Sequence, residues 1–249
     1  MGQRLAEKVA VVTGGTSGIG LAIARRFADE GARVFVTGRR QDQLDAVAAD
    51  IGPALTAVRC DVSDLSDIDA LYELIARQAG RIDVLVANAG GGAIAPLGEI
   101  TEEHFDSTFA VNVRGIVFGV QKAMPLFSRG ASVVLIGSST SQRPDSGLEV
   151  YGASKAALRH FARSWARTTR EHGFRVNVLS PGPILTPGLL GTVPDDKQDE
   201  VVRQFSDAVP VGRIGEADEV AEVALLLASD AAGYVNGAEW FVDGGYAQI

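Results

Sequence analysis

Two segments of the chain combine residue types that can carry out chemistry. The first reads Tyr151-Gly152-Ala153-Ser154-Lys155, so the tyrosine and the lysine are four residues apart and would share one face of a helix. A free tyrosine has a pKa of about 10, and a cation beside the phenol lowers that pKa by favouring the phenolate. Such a pair can exchange a proton with a substrate oxygen as an acid or as a base.

The second segment is glycine-rich and reads Thr13-Gly14-Gly15-Thr16-Ser17-Gly18-Ile19-Gly20. Its glycines allow the backbone to turn sharply and to approach a pyrophosphate, which the free amides at a helix N-terminus can bind. An apolar strand pattern precedes the segment and an amphipathic helix pattern follows it, which is the order of a dinucleotide site. The candidate contacts are Gly14, Thr16, Ser17, Gly18, Ile19 and Gly20. A tight turn that needs positive φ and binds nothing is the alternative.

Together the two segments resemble the short-chain dehydrogenase/reductase family, whose glycine pattern is Thr-Gly-x-x-x-Gly-x-Gly and whose catalytic pair is Tyr-x-x-x-Lys. The resemblance runs from about residue 7 to the C-terminus. It implies an enzyme that moves a hydride between a nicotinamide cofactor and a carbonyl compound or alcohol. In the family the tyrosine, here Tyr151, is the acid or base. The lysine, here Lys155, lowers the pKa of the tyrosine and binds the nicotinamide ribose.

The resemblance assigns two further catalytic candidates. Ser138 stands thirteen residues before Tyr151, as the family's serine does, which implies a hydrogen bond to the substrate oxygen. The hydroxyl-bearing residues that follow, beginning with Ser139, leave the register open, and the count back from the tyrosine favours Ser138. Asn112 matches the helix asparagine that supports a proton-relay water in the family. Its alternative role is that of an amide that bonds locally within its helix.

Three more segments match cofactor contacts of the family. Asp61-Val62 resembles its adenine-contacting pair, and Asn88-Ala89-Gly90 matches its Asn-Ala-Gly motif. Asp61 could also be a turn residue that caps a helix, and Asn88 a hydrogen-bonding residue at a strand end; both roles are compatible with cofactor contact. The segment that would hold the nicotinamide carboxamide contains Pro181, Gly182, Ile184 and Thr186.

The residues after the second predicted strand indicate which cofactor is preferred. An NAD enzyme usually places an acid there, on the ribose 2′-hydroxyl, whereas this chain has Arg39 and Arg40 and no acid before Asp42. Two guanidinium groups could bind a 2′-phosphate through charge-assisted hydrogen bonds. We therefore expect NADP(H) as the preferred cofactor, with NAD(H) as the second. Ser17 stands where NADP-preferring relatives often carry a base, so the preference is expected to be moderate; two solvated arginines that open a helix are the alternative.

Short apolar runs alternate with longer helical patterns along the chain. Seven runs have the composition of buried strands: Val9–Val12, Val34–Val36, Leu55–Val58, Val84–Val86, Val133–Ile136, Val176–Leu179 and Glu239–Val242. Strands that are apolar on both faces belong in a parallel sheet covered by helices on both sides. The prediction is an α/β fold, a Rossmann-type, doubly wound, seven-stranded parallel sheet with helices on both faces.

One stretch breaks this alternation. We expect residues 1–249 to form a single dinucleotide-binding and catalytic domain, because α/β domains of this size are often single units. Residues 181–210 are nevertheless rich in proline and glycine and follow the carboxyl end of a strand, where open α/β sheets bind ligands. A substrate lid with a short helix is therefore expected over about residues 183–210, and a merely tolerated insertion is the alternative.

The composition argues against several classes of partner. The chain has 31 acidic against 23 basic residues and no basic stripe, so we expect no nucleic acid partner. No stretch approaches the roughly 18 uninterrupted apolar residues of a membrane span. Residues 1–7 hold no apolar signal core, and Cys60, the single cysteine, cannot form an internal disulfide. A cytoplasmic protein without a membrane partner is expected, and without a catalytic metal because the three histidines form no ligand cluster.

Assembly and substrate can also be addressed from the residues. The helix after Tyr151 has small residues on one stripe and Leu158, Phe161 and Trp165 on another, so one face is expected to meet a second copy in a homodimer or homotetramer. The expected substrate-pocket residues are mainly apolar or small, and they lie in residues 92–94, in residues 140–150 and around Leu185, Leu189 and Leu190. Arg143 and Glu149 are the candidate polar selectors.

The combined prediction is an oxidoreductase that transfers a hydride between NADP(H) and a ketone or secondary alcohol, with Tyr151 as the general acid or base. Within the family, the alternatives are an NAD-dependent alcohol dehydrogenase and a 3-oxoacyl thioester reductase. A non-catalytic NADP(H)-binding regulator is the alternative from another class. A regulator would need the glycine-rich segment to bind the cofactor, but it would not need the catalytic side chains of Ser138, Tyr151 and Lys155.

Overall fold

Seven parallel strands form the central sheet of the computed structural model, which describes residues 3–191 and 193–249. The strands are β1 Val9–Val12, β2 Arg33–Gly38, β3 Leu55–Arg59, β4 Ile82–Ala87, β5 Phe127–Ile136, β6 Phe174–Pro181 and β9 Glu239–Val242. Two short strands between β6 and β9 in the chain, β7 Ile184–Leu185 and β8 Gly215–Glu216, form a separate sheet. Their order across the sheet is β3-β2-β1-β4-β5-β6-β9. All seven predicted strands lie within observed ones, and the predicted doubly wound parallel sheet is confirmed.

Apolar side chains on both faces explain why these segments lie inside the molecule. Val11 and Val34 are fully buried, and so are Val84 and Val134 in the neighbouring strands. Alternate residues of each strand point to opposite faces, which divides the core into two clusters, one on each side of the sheet. Burial on both faces is the usual condition of a parallel sheet.

Ten helices occur in the described ranges. They are α1 Gly18–Asp29, α2 Gln41–Ile51, α3 Leu65–Gln78, α4 Glu102–Phe109, α5 Ile116–Ala123, α6 Glu149–Ala166, α7 Thr169–His172, α8 Pro187–Leu190, α9 Gln198–Ala208 and α10 Ala217–Ala228. Helices α1, α2 and α10 pack on one face of the sheet, and α3, α5 and α6 pack on the other. None of the helices in the described part of the chain is long and apolar enough to cross a membrane.

Local signals account for where several helices begin and end. Asp64 begins α3 by accepting a hydrogen bond from the backbone N–H of Ser66 at 2.8 Å, which satisfies a free donor of the first turn. Beyond the end of α1, Gly31 has a φ of 86°, a conformation that favours glycine. Both positions carry residue types that favour such helix ends.

A π-helical stretch, Ala110–Gly115, joins α4 to α5. It was not predicted from the sequence. Such wide turns are rare and are frequent at functional sites, and this one contains the candidate residue Asn112. Its last residue must be small, since a Cβ at Gly115 would collide with the backbone oxygen of Val62.

The predicted lid segment after β6 contains more regular secondary structure than the single short helix expected. It contains helices α8 and α9 and a strand, β7 Ile184–Leu185, which pairs in parallel with β8 Gly215–Glu216. Thr186 caps α8 by accepting a hydrogen bond from the backbone N–H of Leu189 at 3.2 Å. Asp199 and Glu200 lie in the first turn of α9, where negatively charged side chains interact favourably with the helix dipole. The predicted domain and lid also include Met1, Gly2 and Thr192, which lie outside the described residues.

Candidate active site

A cleft of about 960 Å³ opens at the carboxyl ends of β1 to β4, beside the point where the strand order reverses. Most of the predicted cofactor residues line it, namely Gly14, Thr16, Ser17, Gly18, Ile19, Gly20, Arg39, Arg40, Asp61, Val62, Asn88, Ala89, Gly90 and Thr186. Tyr151, Lys155, Pro181, Gly182 and Ile184 do not belong to its lining. The fold thus brings five separate segments of the chain to one cleft.

The glycine-rich turn is built by close contacts between backbone segments. A Cβ at Gly20 would collide with the backbone oxygen of Gly14, and Gly14 itself has a φ of 65°. Asn88 braces the turn, because its amide nitrogen donates to the backbone oxygens of Thr13 at 2.9 Å and of Gly14 at 3.0 Å. The strand-end bonding proposed for Asn88 is therefore present, and the residue also borders the cleft.

Two exposed arginines form one edge of the cleft. Arg39 and Arg40 stand at the end of β2, and no acid within the described residues lies within 4 Å of either guanidinium group. Arg59, at the end of the neighbouring strand, donates to the backbone oxygen of Arg39 at 3.4 Å. Thr16 donates to the side-chain oxygen of Gln43 at 3.2 Å across the same edge. This edge is a concentration of positive charge on an otherwise acidic protein.

Asp61 and Val62 follow β3 and close another side of the cleft. The carboxylate of Asp61 accepts hydrogen bonds from the backbone N–H of Ser63 at 2.9 Å and from its hydroxyl at 2.7 Å. Asp61 thus shapes the turn that leads into α3, as its structural alternative predicted, while it also lines the cleft. Cys60, just before it, is buried, and burial raises the pKa of its thiol to about 12.

Ser138, Tyr151 and Lys155 meet at the end of β5. The serine begins a 3₁₀ turn, Ser139–Ser141, and its side chain forms a hydrogen bond with that of Tyr151. The Nζ atom of Lys155 lies 5.7 Å from the centre of the tyrosine ring and donates to the backbone oxygen of Ile136 at 2.8 Å. Both Ser138 and Lys155 are buried. Of the two serines considered in the sequence analysis, the structure joins Ser138 to the tyrosine.

Burial sets the ionisation of this group. It raises the pKa of Tyr151, and the hydrogen bond from Ser138 acts in the opposite direction. The direction is the reverse of the lowering expected from Lys155, because the cost of burying a phenolate exceeds the effect of its neighbours. Burial also lowers the pKa of Lys155 to about 8. Both side chains are thus shifted towards their neutral forms.

Asn112 uses its amide to join three segments. Its oxygen accepts from the backbone N–H of Gly91 at 3.1 Å, and its nitrogen donates to the backbone oxygen of Gly91 at 2.8 Å and to the hydroxyl of Ser154 at 2.9 Å. A Cβ at Gly90 would lie 3.0 Å from both the Asn112 oxygen and the Lys155 nitrogen. The amide is therefore adjacent to the lysine, and its bonds reach beyond its own helix.

Gly92, which was expected in the substrate pocket, lies directly against Tyr151. A Cβ there would lie 2.7 Å from the Cβ of Tyr151, so only glycine allows this strand-end segment to pass the tyrosine. Residues 90–92 run from the cleft to the catalytic candidates, and three consecutive glycines were the signal in the sequence. Further residues of the cleft that the analysis did not select include Thr37, Gly38, Gln43, His104, Ser107, Thr108, Val111 and Gly188.

The segment after β6 reaches the cleft through Thr186 and Gly188. A Cβ at Gly18 would lie 3.2 Å from the methyl carbon of Thr186, so Thr186 covers the glycine turn. Gly182 is held at β9, where its backbone N–H donates to the oxygen of Val242 at 3.0 Å. Ile184 is buried in β7. Pro181, the last residue of β6, pairs with Val242 of β9.

Arg143 has a partner that the sequence analysis did not foresee. Its guanidinium group lies 4.0 Å from the ring centre of Tyr246 and donates to the backbone oxygen of that residue at 2.7 Å. The ring of Tyr246 also contacts Phe205 of α9, with centroids 6.4 Å apart. Arg143 therefore fastens the C-terminal segment, and its predicted role as a substrate selector has no support from these contacts. Glu149 is exposed in the first turn of α6.

Within residues 3–191 and 193–249, no group of three or more His, Cys, Asp or Glu side chains is arranged to hold a metal ion. His104 borders the cleft, whereas His160 and His172 contact the aromatic rings of Phe161 and Phe174. A nucleotide cleft next to a buried Ser-Tyr-Lys group defines the class of dinucleotide-binding oxidoreductases.

Comparison with known proteins places the chain within this class. Residues 14–247 match the family model described as enoyl-(acyl carrier protein) reductase, and the chain belongs to the short-chain dehydrogenase/reductase family. Oxidoreductase asL5 of Sarocladium schorii is 45% identical over 99% of this chain and 98% of its own length. The NADP-dependent (R)-specific alcohol dehydrogenase of Lentilactobacillus kefiri is 36% identical over 99% of both chains.

A solved structure shows the same architecture. The short-chain dehydrogenase/reductase from Brucella melitensis, described as a glucose/ribitol dehydrogenase, superposes with a TM-score of 0.93. It is 29% identical and covers 100% of both chains. The family uses nicotinamide cofactors.

The buried amine of Lys155 should reduce stability at neutral pH. Because its pKa is about 8 in the folded chain and 10.5 ordinarily, the unfolded chain holds more protons between these values, and the parent gains stability as the pH rises through them. Lys155→Met removes the buried charge. It should therefore raise the free energy of unfolding by about 1 to 3 kcal/mol at pH 7, as measured by urea denaturation, and by less at pH 10.

The matched control is Lys197→Met, because the side chain of Lys197 is 58% exposed. This change should leave the unfolding free energy nearly the same at both pH values. An advantage of Lys155→Met that is absent at pH 7, or equal at pH 7 and pH 10, would contradict the buried-charge explanation.

Proposed function

We propose that this protein transfers a hydride between NADP(H) and a ketone or secondary alcohol. The observation that carries the proposal is the buried hydrogen bond between Ser138 and Tyr151, with Lys155 beside the ring, at the edge of a glycine-built nucleotide cleft. When bound, the nicotinamide cofactor would supply or accept the hydride. The side chains of the protein supply the proton and orient the substrate.

The residues of the cleft fit such a cofactor. Glycines occupy the positions where side chains would fill the cradle, as at Gly14 and Gly20, and the helix that follows offers free backbone amides to a pyrophosphate. Thr186 lies over the turn. With Pro181, Gly182 and Ile184 it would hold the nicotinamide end. Asp61, Val62 and Asn88 would border the adenosine.

Tyr151 is the proposed general acid in the reductive direction. As the carbonyl carbon receives the hydride, negative charge develops on the oxygen, and the tyrosine hydroxyl gives it a proton. Ser138 donates a hydrogen bond to the same oxygen and stabilises the developing charge. In the oxidative direction the tyrosine accepts the proton of the alcohol.

Lys155 would offset the burial that opposes ionisation of Tyr151. Its amine lies near the ring, and in its protonated form it stabilises the phenolate. It would also bind the ribose hydroxyls. Asn112 fixes Gly91 and helix α6 around this lysine, and we propose that the same amide supports a proton-relay water behind it.

Arg39 and Arg40 support the NADP(H) preference. Both guanidinium groups are exposed at the edge of the cleft and have no acidic partner among the described residues. An exposed arginine is free to bind a 2′-phosphate bidentately. A relative that is similar over its whole length, the Lentilactobacillus kefiri enzyme, is described as NADP-dependent.

We further propose a single domain whose segment 183–210 closes over the substrate. Support comes from its position after β6, from Thr186 at the cleft, and from α9, whose Phe205 contacts the anchored ring of Tyr246. Two large apolar side chains shortly after the segment of Gly90 to Gly92 are exposed, Ile94 by 63% and Leu97 by 86%. These features favour a hydrophobic carbonyl compound as substrate.

Tyr151→Phe should abolish turnover, because it removes the hydroxyl that transfers the proton and leaves the ring in place. We expect consumption of NADPH by the parent with at least one member of a panel of aromatic, aliphatic, cyclic and β-keto carbonyl compounds, including a 3-oxoacyl thioester. The variant should be slower by a factor of about 10² to 10⁴. The decrease in NADPH absorbance measures both rates.

Tyr234→Phe is the matched control, because it deletes the hydroxyl of a fully exposed tyrosine and should leave the rate unchanged. Equal rates for the parent and Tyr151→Phe would contradict the proposed role of the tyrosine. Tight NADPH binding without consumption of any substrate would favour the non-catalytic regulator.

Removing the two arginines should reverse the cofactor preference. Each charge-assisted hydrogen bond contributes about 1.5 to 3 kcal/mol, so Arg39→Ala and Arg40→Ala should each raise the Kd of NADPH about tenfold or more. The Kd of NADH should change little, since it has no 2′-phosphate. Titration of cofactor fluorescence measures both constants, with Arg129→Ala, an exposed arginine at the opposite end of β5, as control. A parent with tighter NADH than NADPH binding would support the NAD-dependent alternative.

We propose a homodimer or homotetramer in which helix α6 contacts a second copy. Phe161 and Trp165 lie side by side on this helix, with ring centres 5.4 Å apart, and both remain only partly buried within one chain. Light scattering at micromolar concentration should give the mass of two or four chains. The mass of one chain would refute the assembly.

A further inference from the structure

A buried carboxylate lies behind the catalytic candidates and has no role in the proposed mechanism. The side chain of Glu239, on β9, is 6% exposed. Its Oε1 atom accepts hydrogen bonds from the hydroxyl of Ser180 at 2.8 Å and from that of Ser141 at 3.4 Å. Its Oε2 atom pairs with Arg159 at 3.3 Å. The buried charge is thus compensated by one cation and two hydroxyl groups.

The partners of Glu239 belong to the three segments that carry the site. Ser141 ends the 3₁₀ turn that begins after Ser138. Arg159 stands on α6, one helical turn beyond Lys155. Ser180 is the penultimate residue of β6 and directly precedes Pro181. One carboxylate therefore connects the turn of the serine, the helix of the tyrosine and lysine, and the strand that leads to the nicotinamide segment.

The surrounding backbone leaves this contact little freedom. A Cβ at Gly137 would collide with the hydroxyl oxygen of Ser180, so the end of β5 and the end of β6 approach each other as closely as glycine allows. Gly137 is the residue before Ser138. A displacement of the carboxylate would be transmitted to the serine turn through Ser141 and to helix α6 through Arg159.

Glu239 does not line the cofactor cleft. A buried ion pair often contributes no more to stability than apolar residues of similar size would in its place. Stability alone therefore does not explain a buried carboxylate at this position. Its directional bonds specify the relative position of separate elements, which apolar contacts do less well.

We propose that Glu239 is a positioning residue, which holds the turn of Ser138 in register with Tyr151 on helix α6. The expected effect of Glu239 on turnover rests on the proposed function. The geometric claim can be tested without turnover, because the Ser138–Tyr151 hydrogen bond affects the tyrosine itself.

The first measurement is a pH titration of the parent with ¹³C-labelled tyrosine, observed by NMR at the Cζ carbon. The chain has four tyrosines, and the spectrum of Tyr151→Phe assigns the resonance. Loss of the serine hydrogen bond raises the pKa of Tyr151, as Ser138→Ala will calibrate. Glu239→Gln, which removes the charge and keeps the shape, should raise that pKa by at least half the shift of Ser138→Ala.

Two further variants keep the test decisive. Ser141→Ala removes a single hydroxyl and leaves the carboxylate paired with Arg159, so it should produce a smaller shift in the same direction even if Glu239→Gln fails to fold. Asp230→Ala breaks a remote ion pair whose carboxylate is 93% exposed and should produce none. A Tyr151 pKa that does not move in Glu239→Gln, or in Ser141→Ala where Glu239→Gln fails to fold, would overturn the proposal.

The catalytic consequence is measured by NADPH consumption in a double-mutant cycle. Glu239→Gln should lower kcat about tenfold in the parent and less than about twofold in the Ser138→Ala background, because both changes act through one hydroxyl. Equal losses in the two backgrounds would overturn the positioning role. A parent without turnover would refute the proposed function, and the NMR titration would still decide the placement of the serine.

Discussion

Close approach of backbone segments at the carboxyl edge of the sheet is the constraint on which the site depends. The glycine turn after β1 can fold only because Gly20 has no Cβ to collide with Gly14, and Asn88 from β4 then bonds to that turn. The same principle brings the segment at Gly92 into contact with Tyr151. Side chains at these positions would separate the cleft from the candidate proton-transfer residues. The site is therefore a consequence of tight packing between loops as much as of the residues that react.

Burial imposes an opposing demand on the same region. Burial shifts both Tyr151 and Lys155 towards their neutral forms. It raises the pKa of the phenol and lowers that of the amine to about 8. In the proposed reaction, a charged state would have to be stabilised against this tendency by oriented groups of the protein rather than by water. Such arrangements cost stability and are found where function requires them. The polar contacts around Asn112 and Glu239 join the elements that carry the candidate reacting groups.

Much of the architecture was accessible from the sequence. The seven apolar runs predicted the strands because residues buried on both faces of a parallel sheet must be apolar, and the cap at Asp64 and the stop at Gly31 were local signals. Most predicted cofactor residues line one cleft because the carboxyl ends of parallel strands meet at one edge. The π-helical stretch around Asn112 was not predicted, since its wide turn depends on contacts with distant segments.

The sequence by itself determined the fold class, the family and the identity of the candidate acid and cradle, because these depend on local periodicity and on short motifs with fixed spacing. Only the tertiary structure decided which serine meets Tyr151, that Arg143 binds the C-terminal segment, and that Glu239 contacts three separate elements. Those pairings join residues far apart in the chain, and a side chain's partner is set by the geometry of packing. Residue type alone specifies what a group can bind, whereas the fold selects which partner comes within reach.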